Sequence, residues 1–149
     1  MKTHSEHNHH HNHTLDTVLE ALKKNGLKLT TPRRAILRAL VDRHGPFTAE
    51  EIHKLITKRI CDLATVYRTL GSLEEARIIK RCDFGDGSSR YELAESDDKH
   101  HHHIICNQCK SIEVIDDTGL EEIDRFARNR GFTNISHTLE FFGTCPRCR

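Results

Sequence analysis

The chain has 149 residues, of which 36% are hydrophobic and none is tryptophan, so any core that it forms is small. There is no run of about 18 apolar residues and no apolar signal-peptide centre, which excludes a membrane span and leads us to expect a cytoplasmic protein. The net charge is +1, with a positive excess over residues 14–95 that suits a polyanion and a negative excess over residues 96–149 that suits cations.

The N-terminal segment, residues 1–13, reads "MKTHSEHNHHHNH" and is a polar, His-rich stretch of low complexity. We expect it to be disordered, whether it is a natural tail or the remnant of an expression tag. Beyond it, Leu15, Val18, Leu19 and Leu22 recur at helical spacing, and "NG" at 25–26 ends the pattern. This predicts a first helix over residues 15–24.

Three further helices are predicted from their N-terminal capping residues. Thr31 is the predicted cap of "TPRRAILRALV", with Pro32 at the first helical position. Thr48 and Glu51 form a capping box at the start of "TAEEIHKLITKRI", and Asp62 caps "LATVYRTLGSLEEA".

A hairpin follows the helices. Two strand-like pieces, residues 78–84 and 88–93, are joined by "GDG", a strong turn signal. Three helices that lead into a hairpin are typical of a winged helix-turn-helix, a DNA-binding fold.

The helix after Asp62 is the predicted DNA-reading helix. Its apolar stripe consists of Leu63, Val66, Leu70 and Leu73. The predicted outward residues are Thr65, Arg68, Thr69 and Ser72, with Tyr67 at the margin. Arg can read guanine edges, Thr can contact a thymine methyl and Tyr can contact phosphate, although the same face could simply be solvated.

A polar break at 94–99 separates the two halves, and the second half has an α+β pattern. The predicted organisation is a tail (1–13), a winged-helix domain (14–94), a hinge (95–99) and a metal-binding dimerisation domain (100–149). In the last of these, "HHIIC" and "SIEVI" are predicted strands, and Thr118 with Glu121 starts a helix that ends before Gly131. The final "TNISHTLEFFG" is a predicted strand with Ile135, His137, Leu139 and Phe141 on one face.

Four of the six cysteines form two matched C-x-x-C pairs, namely Cys106 with Cys109 and Cys145 with Cys148. Two such pairs supply the four thiolates of a tetrahedral structural Zn(II) site. Two disulfides or a redox-active pair are the alternatives, and a cytosolic chain favours the metal.

The histidine run "HHHH" at 100–103 directly precedes Ile104 and Ile105, which we expect to anchor it in the core. On an extended strand, His100 and His102 face one side, and His101 and His103 face the other. One strand would then serve two metal sites, although a solvated histidine tract is the alternative.

Taken together, these motifs resemble the ferric uptake regulator family of bacterial metalloregulators, over about residues 15–149. The matching pieces are "GLKLTTPRRAIL", "TAEEIHKLI", "DLATVYRTLGSLEEARII", "RYEL", "HHHHIICNQC", "IEVID" and "ISHTLEFFGTCPRC". The resemblance implies a homodimer that represses transcription, through winged-helix domains on operator DNA with inverted-repeat symmetry, when a regulatory divalent metal is bound.

The resemblance also implies specific residues for each site. The structural Zn(II) ligands would be Cys106, Cys109, Cys145 and Cys148. The regulatory ligands near the hinge would be His101, His103, Glu92 and Glu113. A second site in the dimerisation domain would use His100, His102, Glu121 and His137. The DNA contacts would be Tyr67 and Arg68 on the reading helix, beside Thr65, and Arg33 in the minor groove.

Two departures from the family pattern bear on the effector metal. Pro46 occupies the place of a usual hinge histidine, with His44 two residues away, and Ala94 occupies the place of a cysteine found in some zinc regulators. Cys82 in the wing strand could supply a sulfur ligand instead. A four-coordinate set with Cys82 suits Zn(II), slightly favoured here, whereas the addition of Glu113 and His44 would suit Fe(II). Manganese, nickel and peroxide sensing are the remaining alternatives.

Two other classes of function agree less well with the sequence. A zinc-dependent enzyme would need an open metal position and a general base, and the chain has no H-E-x-x-H motif. Metal storage through the His-rich tail would leave the DNA-binding half without a role.

Overall fold

The computed structural model describes residues 14–43, 45–57, 59–94, 101–115, 121–135, 137 and 139–149. The chain divides into two units. The first extends to Arg81 and includes Tyr91–Leu93, and the second contains Cys82–Arg90 and the residues from Ala94 onward. The predicted tail, the predicted hinge, His44 and His100 lie outside the described residues.

The elements up to residue 93 follow the predicted order, with one addition. They are α1 (Leu15–Lys24), α2 (Thr31–Arg43), β1 (Phe47–Thr48), α3 (Ala49–Leu55), α4 (Leu63–Glu75), β2 (Ile79–Asp83) and β3 (Ser89–Leu93). The three strands form a sheet in the order β1-β3-β2. Strand β1 was not predicted, because two residues carry no detectable alternation.

Side-chain caps define the starts of α3 and α4 as predicted. The Thr48 hydroxyl accepts a hydrogen bond from Glu51 N–H at 3.2 Å, and the Glu51 carboxylate accepts one from Thr48 N–H at 2.8 Å. Asp62 accepts from Thr65 N–H at 2.7 Å. Helix α3 nevertheless ends at Leu55, short of the predicted end, and its C-cap Ile56 is extended.

The predicted cap of α2 was wrong by one residue. Helix α2 already begins at Thr31, and the Thr30 hydroxyl accepts a hydrogen bond from Arg33 N–H at 3.4 Å. Two adjacent threonines offer the same capping chemistry, so the sequence alone does not distinguish them.

The core of the first unit is formed mainly by the four helices. Its fully buried side chains include Leu22, Ile36, Leu37, Ile52, Val66, Leu70 and Leu73. Full burial of each such side chain contributes about 1.5–3 kcal/mol relative to exposure.

The second unit contains β4 (His102–Cys106), β5 (Ile112–Ile115), α5 (Glu121–Asn129) and β6 (Glu140–Gly143). Strand β4 is central in the order β5-β4-β6, antiparallel to β5 and parallel to β6. Of the final predicted strand, β6 contains Glu140–Gly143, and the described residues Ile135, His137 and Leu139 lie outside it. The described helices of the whole chain include none with the length and apolar character to cross a membrane.

The core of the second unit is small. Among its described residues, the buried hydrophobic side chains are Phe84, Ile105 and Cys106. Ile104 is 38% exposed, so the expectation that both isoleucines anchor β4 was wrong for this one. The exposed large apolar side chains of this unit are Ile104, Val114, Ile123, Phe126, Phe132, Phe141 and Phe142.

Candidate metal centres and DNA-reading helix

The four paired cysteines converge in the second unit. Cys106 ends β4 and lies opposite Gly143 at the end of the parallel strand β6, and Cys145 follows two residues later. Parallel strands end at the same edge of a sheet, so both cysteine pairs meet there. All four sulfur atoms lie within 4.8 Å of one another, and Cys109 Sγ is 3.7 Å from Cys145 Sγ.

Tight backbone turns hold each cysteine pair. Lys110 N–H donates to the Cys106 carbonyl at 3.0 Å, and Cys148 N–H donates to the Cys145 carbonyl at 2.9 Å. Lys110 has a φ of 59°, a left-handed conformation that turns the chain back after Cys109. Cys145 N–H also points at Cys106 Sγ, at 3.4 Å. These turns orient the sulfur atoms towards a common centre.

The thiols have very different proton affinities. Hydrogen bonds from the backbone N–H groups of Cys145 and Cys109 lower the pKa of Cys106 to about 6, and the Ser111 hydroxyl lowers the pKa of Cys109. Hydrogen bonds with Cys109 and Cys145 raise the pKa of Cys148 to about 12. A cation bound among the sulfur atoms would stabilise the deprotonated form of all four thiols. The 3.7 Å sulfur separation fits Zn(II), since Zn–S bonds of about 2.3 Å place tetrahedral sulfurs about 3.8 Å apart.

The two odd-numbered histidines of the run share a face. The ring centroids of His101 and His103 are 4.9 Å apart with the planes at 89°, and His103 is buried at 4% exposure. Alternation along β4 explains the shared side. Two close imidazoles are a donor pair that suits Zn(II), Fe(II) and other transition metals.

Glu113 does not share that face. Strand register pairs Ile104 with Glu113 and His103 with Val114. Directly paired side chains lie on the same side of a sheet, so Glu113 follows Ile104 and faces away from His103. Consistently, Glu113 lines a cavity of about 110 Å³ together with Ile104 and Cys106. The assignment of Glu113 as a ligand beside His101 and His103 is therefore contradicted by the register.

The other two candidate ligands of the regulatory site are Glu92 and Cys82. In the first unit, Glu92 is buried at 3% exposure, and its Oε1 is 2.9 Å from Nζ of Lys80. Cys82 is partly buried and belongs to the second unit, with its thiol outside any disulfide. A buried carboxylate needs a cation for compensation, which Lys80 supplies.

Part of the predicted second site is also present. The ring centroids of His102 and His137 are 5.2 Å apart, and Nδ1 of the buried His102 is 3.2 Å from the Leu139 carbonyl oxygen. A carbonyl only accepts, so Nδ1 carries the proton and Nε2 is the acceptor of the neutral ring. His100 and the side chain of Glu121 lie outside the described residues.

Helix α4 presents only part of the predicted face. Arg68 and Tyr67 are exposed, and Arg68 donates to the Thr65 hydroxyl at 3.0 Å. Thr69 is buried, because it falls at helical spacing from Val66 and Leu73, so its outward assignment was wrong.

Tyr67 has a partner that the sequence did not reveal. Its hydroxyl donates to the carboxylate of Glu50 on α3, which lowers the pKa of Glu50 and raises that of Tyr67. Glu50 is the first glutamate of "TAEE", and nothing in that motif distinguishes it from an ordinary acidic residue in a first helical turn.

Arg33 is held within the first unit. Its guanidinium donates to the Lys28 carbonyl at 2.8 Å and to the Ser72 hydroxyl at 3.4 Å. Ser72 is partly buried and donates in turn to the Thr69 carbonyl at 2.9 Å. Arg33 thus links the start of α2 to the C-terminal part of α4.

Comparison with known proteins decides the family. A sequence model of the ferric uptake regulator family matches residues 24–142. The chain belongs to this family. Ferric uptake regulators are metal-responsive transcription repressors, so the chain is a transcription regulator and not an enzyme.

Individual relatives of the ferric uptake regulator family resemble the chain over nearly its whole length. The peroxide operon regulator of Bacillus subtilis is 36% identical, over 91% of this chain and 94% of the relative. The ferric uptake regulation protein of the same organism is 34% identical, over 90% and 93%. The names of these two relatives refer to different signals, peroxide and iron. Family membership alone therefore does not identify the effector of this chain.

Solved structures of the family match the fold. The Helicobacter pylori ferric uptake regulator, described with three functional metal binding sites, has a TM-score of 0.74 and 29% identity over 91% of this chain and 94% of that one. A zinc-bound manganese uptake regulator has a TM-score of 0.69 and 34% identity over 87% and 98%. The similarity confirms the predicted α+β architecture with an N-terminal DNA-binding and a C-terminal dimerisation domain.

Proposed function

We propose that this ferric uptake regulator homologue represses metal uptake genes when zinc fills its regulatory site. It binds double-stranded operator DNA with inverted-repeat symmetry as a homodimer, in the cytoplasm. Residues 14–94 would form the DNA-binding domain, 95–99 the hinge and 100–149 the dimerisation domain. Fe(II) is the second candidate effector.

The observation that carries the zinc assignment is the position of Glu113. An Fe(II) site of five or six ligands would need this carboxylate beside His101 and His103, and the strand register directs it to the opposite face. The ligands proposed for the regulatory site are then His101, His103, Glu92 and Cys82. Two imidazoles, one carboxylate and one thiolate are a four-coordinate set that suits Zn(II).

The proposed role of the regulatory site is to tie the wing to the dimerisation domain. Glu92 belongs to wing strand β3, whereas His103 belongs to β4 and His101 directly precedes that strand. Ligation of one ion by both groups would restrict how the reading helices are presented to DNA. Such coupling between sites is typically worth about 1–3 kcal/mol, or about 5- to 150-fold in DNA affinity.

We propose a structural role for Zn(II) at Cys106, Cys109, Cys145 and Cys148. A bound Zn(II) would hold all four thiolates and add folding energy to a unit whose described core is small. His102 and His137, with His100 and Glu121, are proposed as the second dimerisation-domain site. The orientation of His102 Nε2 as an acceptor supports that proposal.

Homodimerisation is supported by the apolar surface of the second unit. Phe126, Phe132 and Phe142 are 60%, 66% and 50% exposed. Large exposed apolar side chains in such number mark an interaction surface. A second copy would cover them on both subunits at once, because a two-fold interface uses the same patch twice.

On the DNA side, we propose that Thr65, Tyr67 and Arg68 contact the operator, with Arg33 as a further contact. The exposure of Tyr67 and Arg68 supports the first assignment. Arg33 would have to exchange its hydrogen bonds to Lys28 and Ser72 for bonds to DNA.

A gel shift tests the proposed function. The purified dimer is mixed with promoter DNA that carries an inverted repeat, with Zn(II), with anaerobic Fe(II), or with a chelator that spares the structural zinc. We expect a shifted complex with Zn(II) and its loss with the chelator. Binding that is equally strong without any regulatory metal would contradict the proposal, and a response to Fe(II) alone would favour the second candidate.

A further inference from the structure

The tip of the wing contains a buried aromatic residue in a polar setting. Phe84 is 5% exposed, although its neighbours Asp83 and Gly85 are exposed. It belongs, with the rest of residues 82–90, to the same unit as β4. The wing-tip cluster is defined here as Phe84, Asp86 and Arg90.

Arg90 and Asp86 form a bidentate ion pair within this cluster. The two guanidinium nitrogens donate to the two carboxylate oxygens at 3.0 and 2.8 Å, and the side chains are only 11% and 15% exposed. Ser88 N–H donates to Asp86 as well, at 3.1 Å. The hydrogen bonds from Arg90 are the main reason that the pKa of Asp86 is lowered to about 2. Planar, paired contacts of this kind fix the guanidinium in one orientation.

The fixed guanidinium leads to a row of ring contacts. Arg90 Cζ lies 5.7 Å from the Phe84 ring centroid. The Phe84 ring is 5.4 Å from that of His103 at an angle of 65°, and His103 is 4.9 Å from His101. Edge-to-face geometry is the preferred packing of aromatic rings. Each ring in this row therefore limits the rotation of the next.

We propose that Phe84 is a positioning residue that orients the His103 imidazole for metal binding, and that Asp86 and Arg90 hold Phe84 in place. The proposal rests on the proposed function, in which His103 is a regulatory ligand. A ligand that is already oriented loses less rotational freedom when the metal binds, which raises metal affinity. Wing-tip packing and metal binding would then support each other.

This assignment differs from the usual expectation for a wing arginine, which is a contact to DNA phosphate. Arg90 has little exposed surface and is bidentate to Asp86. Its replacement should therefore act through metal affinity. The salt dependence of DNA binding, which counts phosphate contacts, should stay unchanged at saturating metal.

The test measures Zn(II) affinity at the regulatory site of the full dimer with its structural zinc in place, by competition with a chromophoric chelator. The variants are Phe84→Leu, Phe84→Tyr, Arg90→Lys and His103→Ala, with Ser89→Ala as an exposed control in the same hairpin. Absorption spectra with Co(II) in place of Zn(II) report the ligand geometry in each variant.

We expect Phe84→Leu to weaken regulatory Zn(II) binding about tenfold and to alter the Co(II) spectrum, as loss of a ligand-orienting contact does. Phe84→Tyr, which keeps the ring, and Ser89→Ala should resemble the wild type.

If Phe84→Leu does not fold, Arg90→Lys is the variant that tests the inference. It keeps the positive charge but loses the bidentate contact to Asp86, so it should also weaken Zn(II) binding. Suppose that His103→Ala binds Zn(II) weakly. Wild-type affinity in Phe84→Leu, or in Arg90→Lys if Phe84→Leu does not fold, would then overturn this inference and leave the proposed function intact. Wild-type affinity in His103→Ala would overturn the proposed function and this inference with it.

Discussion

Glu113 and His103 lie on adjacent strands but on opposite faces of the sheet. The register sets Glu113 against Ile104 and leaves Val114 opposite His103. A carboxylate that the family resemblance implies as a regulatory ligand is thereby directed away from the histidine pair. The histidine pair therefore has one carboxylate ligand fewer than the family resemblance implies. This affects both which metal the site prefers and which substitutions should weaken metal binding.

Glu113→Ala should leave the regulatory metal affinity within about twofold of the wild type, since the side chain faces away from His101 and His103. Glu92→Ala should weaken it by about tenfold or more, because it would remove a proposed ligand. Zn(II) competition titrations on both variants provide the comparison. A large loss in Glu113→Ala with none in Glu92→Ala would reverse these assignments.

Cys109→Ser should abolish structural zinc binding. It leaves three sulfur ligands and a second unit with little buried apolar surface, so we expect loss of zinc, of the dimer and of cooperative unfolding. Metal analysis and analytical ultracentrifugation measure this. Cys61→Ser is the control. Cys61 lies in the first unit, so this variant should keep the zinc content of the wild type. A Cys109→Ser dimer with full zinc content would rule out the four-cysteine site.

Arg68→Ala should weaken specific operator binding by about 1–3 kcal/mol if Arg68 reads a base. Its melting temperature should barely change, because the side chain is exposed on α4. Arg38→Ala removes the same charge from an exposed ion pair with Asp42 on α2 and serves as the control. Fluorescence anisotropy and thermal melts on both variants give the answer. A loss of stability without a loss of affinity would make Arg68 a structural residue.

The two halves of the histidine run should behave differently. His101→Ala with His103→Ala should leave a folded dimer, because the four cysteines still hold zinc, and should abolish the metal response in DNA binding. His100→Ala with His102→Ala should lower dimer stability more than it removes that response. Titrations of metal against DNA affinity and against melting temperature separate the two. Indistinguishable double variants would mean that the run is one flexible ligand cluster.

Capping chemistry and apolar spacing are local, and they predicted most of the first unit. Asp62 and the Thr48–Glu51 box start their helices as expected. The failures were equally local: Thr30 could not be distinguished from Thr31, and Thr69 sits at the edge of a stripe where a small rotation decides burial.

The site was less predictable, because its faces depend on strand register. The turn that connects Cys109 to β5 sets whether Glu113 or Val114 opposes His103, and a shift of one residue exchanges the faces. Contacts such as Tyr67 with Glu50 and Phe84 with His103 join residues 17 or more positions apart. No local pattern in the sequence encodes them.

Operator affinity, measured against buffered free metal, distinguishes the two candidate effectors. The wild-type dimer with its structural zinc is titrated with DNA at a series of free Zn(II) concentrations and, anaerobically, at a series of free Fe(II) concentrations. We predict that Zn(II) raises DNA affinity by about 5- to 150-fold at lower free concentration than Fe(II) does. A rise with Fe(II) and none with Zn(II) would contradict it.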